Sequence, residues 1–496
     1  MVRKCVTLVL SVALALGLSV GATGNAGESM AKTKKISISK KKLTLYTEQK
    51  KQLKLKNVTK KQSKKITWKS SKKKVATVNK KGVVTAKKEG KTKITATYKK
   101  KNYTCKVTVK TGAQGGEPEE TPDPNKSPYA YSEDDRIRCE YSDTFFDESP
   151  TVFNHEMAKC SLATAFLSQT TLIPQTENGE LSELENLIRT FGFGDFDVNE
   201  EYKKEPTADS VGVAVATKVV NGRTIVAVFI RSAGYAAEWA SNMTVGDGSD
   251  VKNHKGFELA RRKVSAFISE YLNKKSIEGE VAFWLAGQSR GAAIANLTAA
   301  WLAEGEAATG INTSSDKIYA YCFATPRAVY VGAGDNKEDV ATGYEFIHNI
   351  VFDRDIVCRI PPEKLGFDIY GVREKNVIGT DKEEVKALLK KLDSGAYSTF
   401  ESAEKQDLGG MTPGQLVEKF VDDFTNMVVD RETYTREWQD SAIKLMTMIF
   451  GGSTPEGLNT DEKKMAQLMM LFVGGGTSLL IEHFPIVEYA YLAAAK

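Results

Sequence analysis

The chain has 496 residues, 69 Lys and Arg against 63 Asp and Glu, 41% hydrophobic residues and six cysteines. That length exceeds one compact core, so two or more domains are expected, and so few cysteines exclude a disulfide-dense scaffold while leaving one or two bridges open. The net charge of +6 hides a division: residues 31–110 hold 29 lysines, no arginine and only Glu48 and Glu89, a charge of +27, residues 1–30 add +1, and residues 111–496 carry −22. Opposite extremes within one chain bear on partners rather than on fold.

At the N-terminus Arg3 and Lys4 precede an apolar run from Val6 to Val20, and small residues follow around Gly24-Asn25-Ala26. This is the pattern of an export signal ending near residue 26, so a secreted protein is expected. A transmembrane anchor is the rival reading, but the run is short for a bilayer and nothing later resembles a stop-transfer segment.

Short alternating runs interrupt the lysines: Ile36-Ser37-Ile38, Leu43-Thr44-Leu45, Leu53-Lys54-Leu55, Ile66-Thr67-Trp68, Val75 to Val78, Ile94-Thr95-Ala96 and Cys105 to Val109. Period two with β-branched residues predicts about seven short strands in a small sandwich, the lysines covering its faces and edges. The stretch "ITWKSSKKKVATVNKKGVVTAKKEGKTKITA" resembles the bacterial immunoglobulin-like group 2 domain, which implies an Ig-like sandwich over residues 31–110. From Thr111 to Pro128 apolar periodicity gives way to Gly, Glu, Thr and prolines at 118, 122, 124 and 128, an extended spacer and domain boundary.

Beyond the spacer, Val211–Val220 and Thr224–Ile230 read as strands joined through Asn221-Gly222, a hairpin signal. Phe257 to Leu272 sets Phe257, Ala260, Val264, Phe267, Ile268, Tyr271 and Leu272 on one helical face. Val281–Ala286 and Ile318–Ala324 are continuous apolar runs of the kind buried on both sides, and Glu345–Val351 is a further candidate strand. Strand and helix in alternation predict an α/β fold with a mostly parallel sheet.

Gly287-Gln288-Ser289-Arg290-Gly291 matches the nucleophile elbow of α/β-hydrolases. The motif is short enough to arise by chance, and an ordinary strand-to-helix turn is the alternative. Its setting favours the elbow, because a buried strand ends at Ala286 and a helix rich in alanine begins at Ala292. Ser289 is then the nucleophile, with the backbone N–H of Arg290 aimed at the oxyanion. A serine hydroxyl needs a histidine to take its proton, held in turn by a carboxylate. The chain has only His155, His254, His348 and His483. In α/β-hydrolases the order is Ser, Asp or Glu, then His. His348 sits inside the strand-like "EFIHNIV", where a core or edge role is expected, so elimination leaves His483 as the base.

Just past that strand, "NIVFDRDIVCRIPP" offers Asp353 and Asp355. "RDIVCRIPP" resembles the aspartate segment of the lipase class 3 family, with Cys358 where a proline is usual. "YCFATPRA" resembles the strand before it, and "NHKGF" the family's His-x-Gly-Phe. The resemblance implies that Asp355 orients the base and that His254 is structural; for Asp353 a solvated turn carboxylate is favoured over a role in the triad. "IRSAGYAAEW" is similar to the family's oxyanion segment, aligned through Arg231 and Trp239. Ala233 then supplies the second N–H, although Ser232 replaces the usual glycine. The likeness spans about residues 140–360 and the final twenty.

His483 follows Asp355 by 128 positions, a longer interval than the family usually has, with a helical look over 381–475 and seven of the eleven methionines. A cap over an acyl groove and the packed core of an added subdomain are both open for those methionines, the second favoured because Met at helical spacing is commonly core. The function expected is hydrolysis of carboxylic esters, lipids first, through an acyl-enzyme. An acylated polysaccharide is the second substrate class, and an inactive surface adhesin the rival from outside enzymology. No metal or cofactor is implied, since zinc-spaced Cys/His clusters and a phosphate loop are absent from the sequence. The lysine-rich module is expected to face an anionic cell wall or membrane at the cell surface rather than nucleic acid.

Overall fold

The computed structural model describes residues 36–110 and 130–450 apart from short intervals, among them 132–136, 171–182, 233–237 and 306–310, together with residues 463, 481–483 and 485–495. The expected export signal, the spacer 111–128, Ala233 and Asp353 lie outside the described residues. The chain divides into two compact units, one within residues 22–123 and the other within 124–496.

The first unit holds a four-stranded and a three-stranded sheet. Strands β1 (Lys42–Tyr46), β7 (Lys101–Lys110), β6 (Gly90–Tyr98) and β3 (Thr67–Ser70) form the larger one in that order. Strands β2 (Lys50–Gln52), β5 (Val83–Ala86) and β4 (Ala76–Val78) form the smaller, and Ser37–Ile38 pairs with Leu55–Lys56. Leu45, Leu53, Val84, Ala86, Ile94, Ala96, Cys105, Val107 and Val109 fill the space between. Strand β5 was not among the seven runs read from the sequence. Its outward residues, Val83 and Thr85, are half-buried, so hydrophobicity does not alternate along it.

In the second unit β8 (Gly194–Val198), β9 (Val213–Val220), β10 (Arg223–Ile230), β11 (Gly279–Gln288), β12 (Ile318–Phe323), β13 (Ile347–Ile350) and β14 (Val372–Arg373) lie side by side in chain order. Pairing is antiparallel from β8 to β10 and parallel from β10 onward. Asn221 and Gly222 have φ of 50° and 80°, the left-handed pair that closes a two-residue hairpin between Val220 and Arg223. Strand β11 alternates across the sheet. Ala282, Trp284 and Ala286 join a core with helix α1 (His155–Thr170) and helix α8 (Pro485–Ala493), whereas Val281, Phe283 and Leu285 join α2 (Lys255–Lys274) and α3 (Arg290–Ala303). Helices on both faces explain why these strands read as unbroken apolar runs. The architecture is a mostly parallel α/β-hydrolase sheet preceded by a small all-β sandwich.

The expected helical insertion divides in two. Helices α4 (Lys382–Leu392) and α5 (Ser394–Glu404) send Val385, Leu389 and Phe400 into the core shared with α1 and α8. Helix α6 (Pro413–Met427), started by a Thr412–Gln415 capping box with Pro413 in the first turn, and α7 (Gln439–Phe450) build a third core. There Leu416, Phe420, Phe424, Tyr434 and Trp438 meet Met243, Val245, Ile356, Val357 and Leu365. Met411 and Met427 pack against this cluster, the core role; the side chains of Met446, Met448, Met465, Met469 and Met470 fall outside the description.

Candidate active site

Ser289 stands where β11 ends and α3 begins, with φ 57° and ψ −127°. Its N–H donates to the Phe323 carbonyl at 2.9 Å. The flanking glycines have a steric cause. A Cβ on Gly287 would lie 2.3 Å from the Gly291 carbonyl oxygen, and one on Gly291 would lie 2.4 Å from that of Ile230. Helix α3 can therefore approach the strand ends only with glycine at both positions.

Asp355 is fully buried just past β13 and caps a short 3-10 turn. One carboxylate oxygen accepts from Val357 N at 2.9 Å. The other lies 2.7 Å from His483 Nδ1 and accepts weakly from Cys358 Sγ at 3.4 Å. His483, buried, closes the turn Ile481–His483 ahead of α8. Gln288, the residue before Ser289, donates its amide to the His483 carbonyl at 2.8 Å and to Glu488 Oε1 at 3.0 Å. The elbow and the histidine turn are thus joined one residue away from the hydroxyl.

Three residues not singled out from the sequence support this arrangement. Glu488 is fully buried, and its side-chain oxygen lies within 4.8 Å of those ligating atoms of Asp355 and His483 that face it. Burial first, then the Asp355 charge, pushes its carboxyl well above the usual carboxylate range. Among the described residues this trio has metal-ligand spacing, but Asp355 and His483 already spend an oxygen and Nδ1 on each other. Arg354 and Glu482, each one residue ahead of Asp355 and His483, form an ion pair, with Nε 2.7 Å from the carboxylate. Arg354 also reaches Glu404 of α5, and Tyr491 of α8 donates to Glu482 at 3.0 Å. A lone acid inside the apolar "PIVEYAYL" was the available signal for Glu488; nothing local marked Arg354.

The start of α3 lies beside a buried ion pair. Arg231 and Glu238, 2.9 Å apart, bracket the interval that contains Ala233. Arg290, directly after the serine, is buried and donates from Nε to Ser241 Oγ at 3.1 Å. Beside Ser289 lies a cavity of about 40 Å³ whose wall includes Met243, Phe257, Ile360, Phe424 and Tyr434. Phe424 and Tyr434 come from the insertion, which thus covers the serine. Arg431, at the same end of the insertion, anchors it by donating to the carbonyls of Gly246, Val251, Lys252 and Asn253.

The other histidines are placed elsewhere. His348 lies in β13, buried, 2.7 Å from Glu374 and 2.9 Å from the Pro150 carbonyl. His254 precedes α2, stacked on Phe257 with ring centroids 4.1 Å apart. Burial, then Arg431, lowers its pKa to about 3. Cys105, Cys139, Cys160, Cys322 and Cys358 form no disulfide.

No curated protein matches the chain. Residues 32–109 match the family of bacterial Ig-like domains (group 2), and residues 235–365, which carry Ser289 and Asp355, match the class 3 lipases, marking that region as a hydrolase of lipase and esterase type.

Proposed function

We propose that the chain hydrolyses carboxylic esters, lipids above all, by acyl-enzyme chemistry with Ser289, His483 and Asp355 as the triad. The observation that carries it is the 2.7 Å contact of His483 and Asp355, tied through Gln288 to a serine held on an elbow. His483 Nε2 takes the Ser289 proton as Oγ adds to the ester carbonyl, and Asp355 fixes Nδ1–H and offsets the imidazolium charge. The backbone N–H groups of Ala233 and Arg290 receive the oxyanion. Collapse expels the alcohol, protonated by His483, and water then cleaves the acyl-enzyme by the same route.

The apolar wall beside Ser289 supports a lipid acyl chain over an acetylated sugar. A cavity of about 40 Å³ is far below the ~300–1,000 Å³ of occupied ligand pockets, so acyl binding requires the wall that includes Phe424 and Tyr434 to open. Hydrolysis rates over esters from acetyl to palmitoyl test this; a maximum at acetyl would favour the polysaccharide reading. The protein is further read as secreted, with residues 1–26 removed and the lysine-rich module holding it to an anionic surface. Export is checked by the N-terminal sequence of the mature protein.

A further inference from the structure

The lysines of the Ig-like unit are unevenly placed. On the four-stranded sheet, inward positions such as Thr92, Ile94, Ala96, Cys105, Val107 and Val109 are buried, and the exposed positions include Lys69 on β3, Lys91 and Lys93 on β6, and Lys106 on β7. Register places Lys93 directly opposite Lys106, and Lys106 opposite Lys42 of β1. The strands β1, β3, β6 and β7 contain no Asp or Glu. On the smaller sheet the outward positions Thr77, Val83 and Thr85 carry no charge, and register sets Lys50 of the edge strand β2 beside Thr85 on that face.

Like charges directly opposite one another across strands destabilise a sheet, and solubility alone would be served as well by lysines spread evenly over both faces. A groove of about 520 Å³ lies beside the cationic row, lined by Lys91, Lys93 and Lys106, by Ser71, Thr92 and Thr108, and by the apolar Leu43 and Val107. Neighbouring strands lie about 4.8 Å apart, and alternate residues along a strand about 6.8 Å apart. The lysines therefore form a lattice of positive points at roughly 5–7 Å, with threonine hydroxyls between them.

We propose that this face of the four-stranded sheet binds a linear phosphodiester polymer with a non-nucleic backbone, one phosphate per repeat, lying along the groove. The proposal rests on the surface-tether reading above and names its site. Lysine binds phosphate as a point charge. Residues 31–110 contain no arginine, the fork used for guanine edges and for stacking on bases, which disfavours nucleic acid. A groove suits a strand-like polymer, whereas a lipid surface needs no concavity.

The test measures binding of the full-length protein to poly(glycerol phosphate) at fixed salt. Lys91→Ala/Lys93→Ala/Lys106→Ala is compared with Lys80→Ala/Lys81→Ala/Lys87→Ala, which removes the same charge from exposed turns. At about fivefold per lysine near an anionic surface, the sheet variant should bind about 100-fold more weakly and the turn variant less than tenfold. Equal losses would overturn the proposal, as would stronger binding to DNA or to phosphatidylglycerol vesicles than to the polymer. A protein lacking residues 31–110 separates the two levels, with turnover on a soluble ester as its folding check. Undiminished binding there removes the tether reading itself; release there, with sheet and turn variants alike, removes only the choice of face.

Discussion

Ser289 adopts a backbone conformation that L residues avoid, at a cost on the order of 1–3 kcal/mol. Ser289→Gly should therefore melt higher than the parent while losing all turnover. Ser289→Ala should abolish both ester hydrolysis and covalent labelling by a fluorophosphonate, and labelling that persists would place the nucleophile elsewhere. His483→Ala should lower turnover by about 10⁴–10⁶, the scale of triad removal, with Asp355→Asn similarly damaging through loss of the correct tautomer. His348→Ala removes contacts to Glu374 and the Pro150 carbonyl, so it should lower the melting temperature and leave kcat near the parent value. An inactive His348→Ala with normal melting would reverse the assignment of the base.

Two ion pairs hold the elements around the proposed site rather than touching the proposed reacting atoms. Arg231–Glu238 closes the ends of the interval holding Ala233, and Arg354–Glu482 joins the turns that carry Asp355 and His483. Breaking a fully buried pair leaves an uncompensated charge, so Arg231→Met should cost about 3–5 kcal/mol. Arg231→Met/Glu238→Leu should recover much of that loss, as measured by urea unfolding. If the single and the double variants unfold alike, the pair is not what holds the segment. On the opposite wall, Phe424 of α6 borders the cavity at Ser289. Phe424→Ala opens room there at a cost of about 3–5 kcal/mol. The ratio of kcat/KM for palmitoyl over butyryl esters should rise; an unchanged ratio would make α6 only a structural cover.

Across the catalytic unit, two buried groups tilt stability in opposite directions with pH. His254 has a folded pKa of about 3, below its unfolded value of about 6.5. The unfolded chain therefore binds the extra proton, and stability falls as pH drops through that window. Glu488 has the opposite sense. Its folded pKa is raised, so the unfolded chain ionises first and stability falls as pH rises above about 4.3. Each slope approaches about 1.4 kcal/mol per pH unit where the two states differ by one proton. Glu488→Gln should flatten the decline above pH 5 in a series of thermal melts, and His254→Phe should flatten the decline below pH 6. A decline above pH 5 that survives Glu488→Gln would show that the carboxyl is ionised in the folded protein.

Local patterns in the sequence carried the element types and the motif. Unbroken apolar runs marked β11 and β12, Asn221-Gly222 marked the hairpin, and Gly287 and Gly291 marked the elbow, because each depends on neighbours within a few residues. Chain order and the class 3 lipase likeness then pointed to His483 and Asp355, 128 residues apart. Contacts between distant segments were decided only in three dimensions. The division of the insertion between two cores, the Arg354–Glu482 pair across 128 positions, and the buried Glu488 beneath Gln288 have no periodic signature. Likewise, composition showed a strongly cationic module, but strand register decided that Lys93, Lys106 and Lys42 stand side by side on one sheet. Charge is a property of residues, whereas a charged face exists only once the strands are paired.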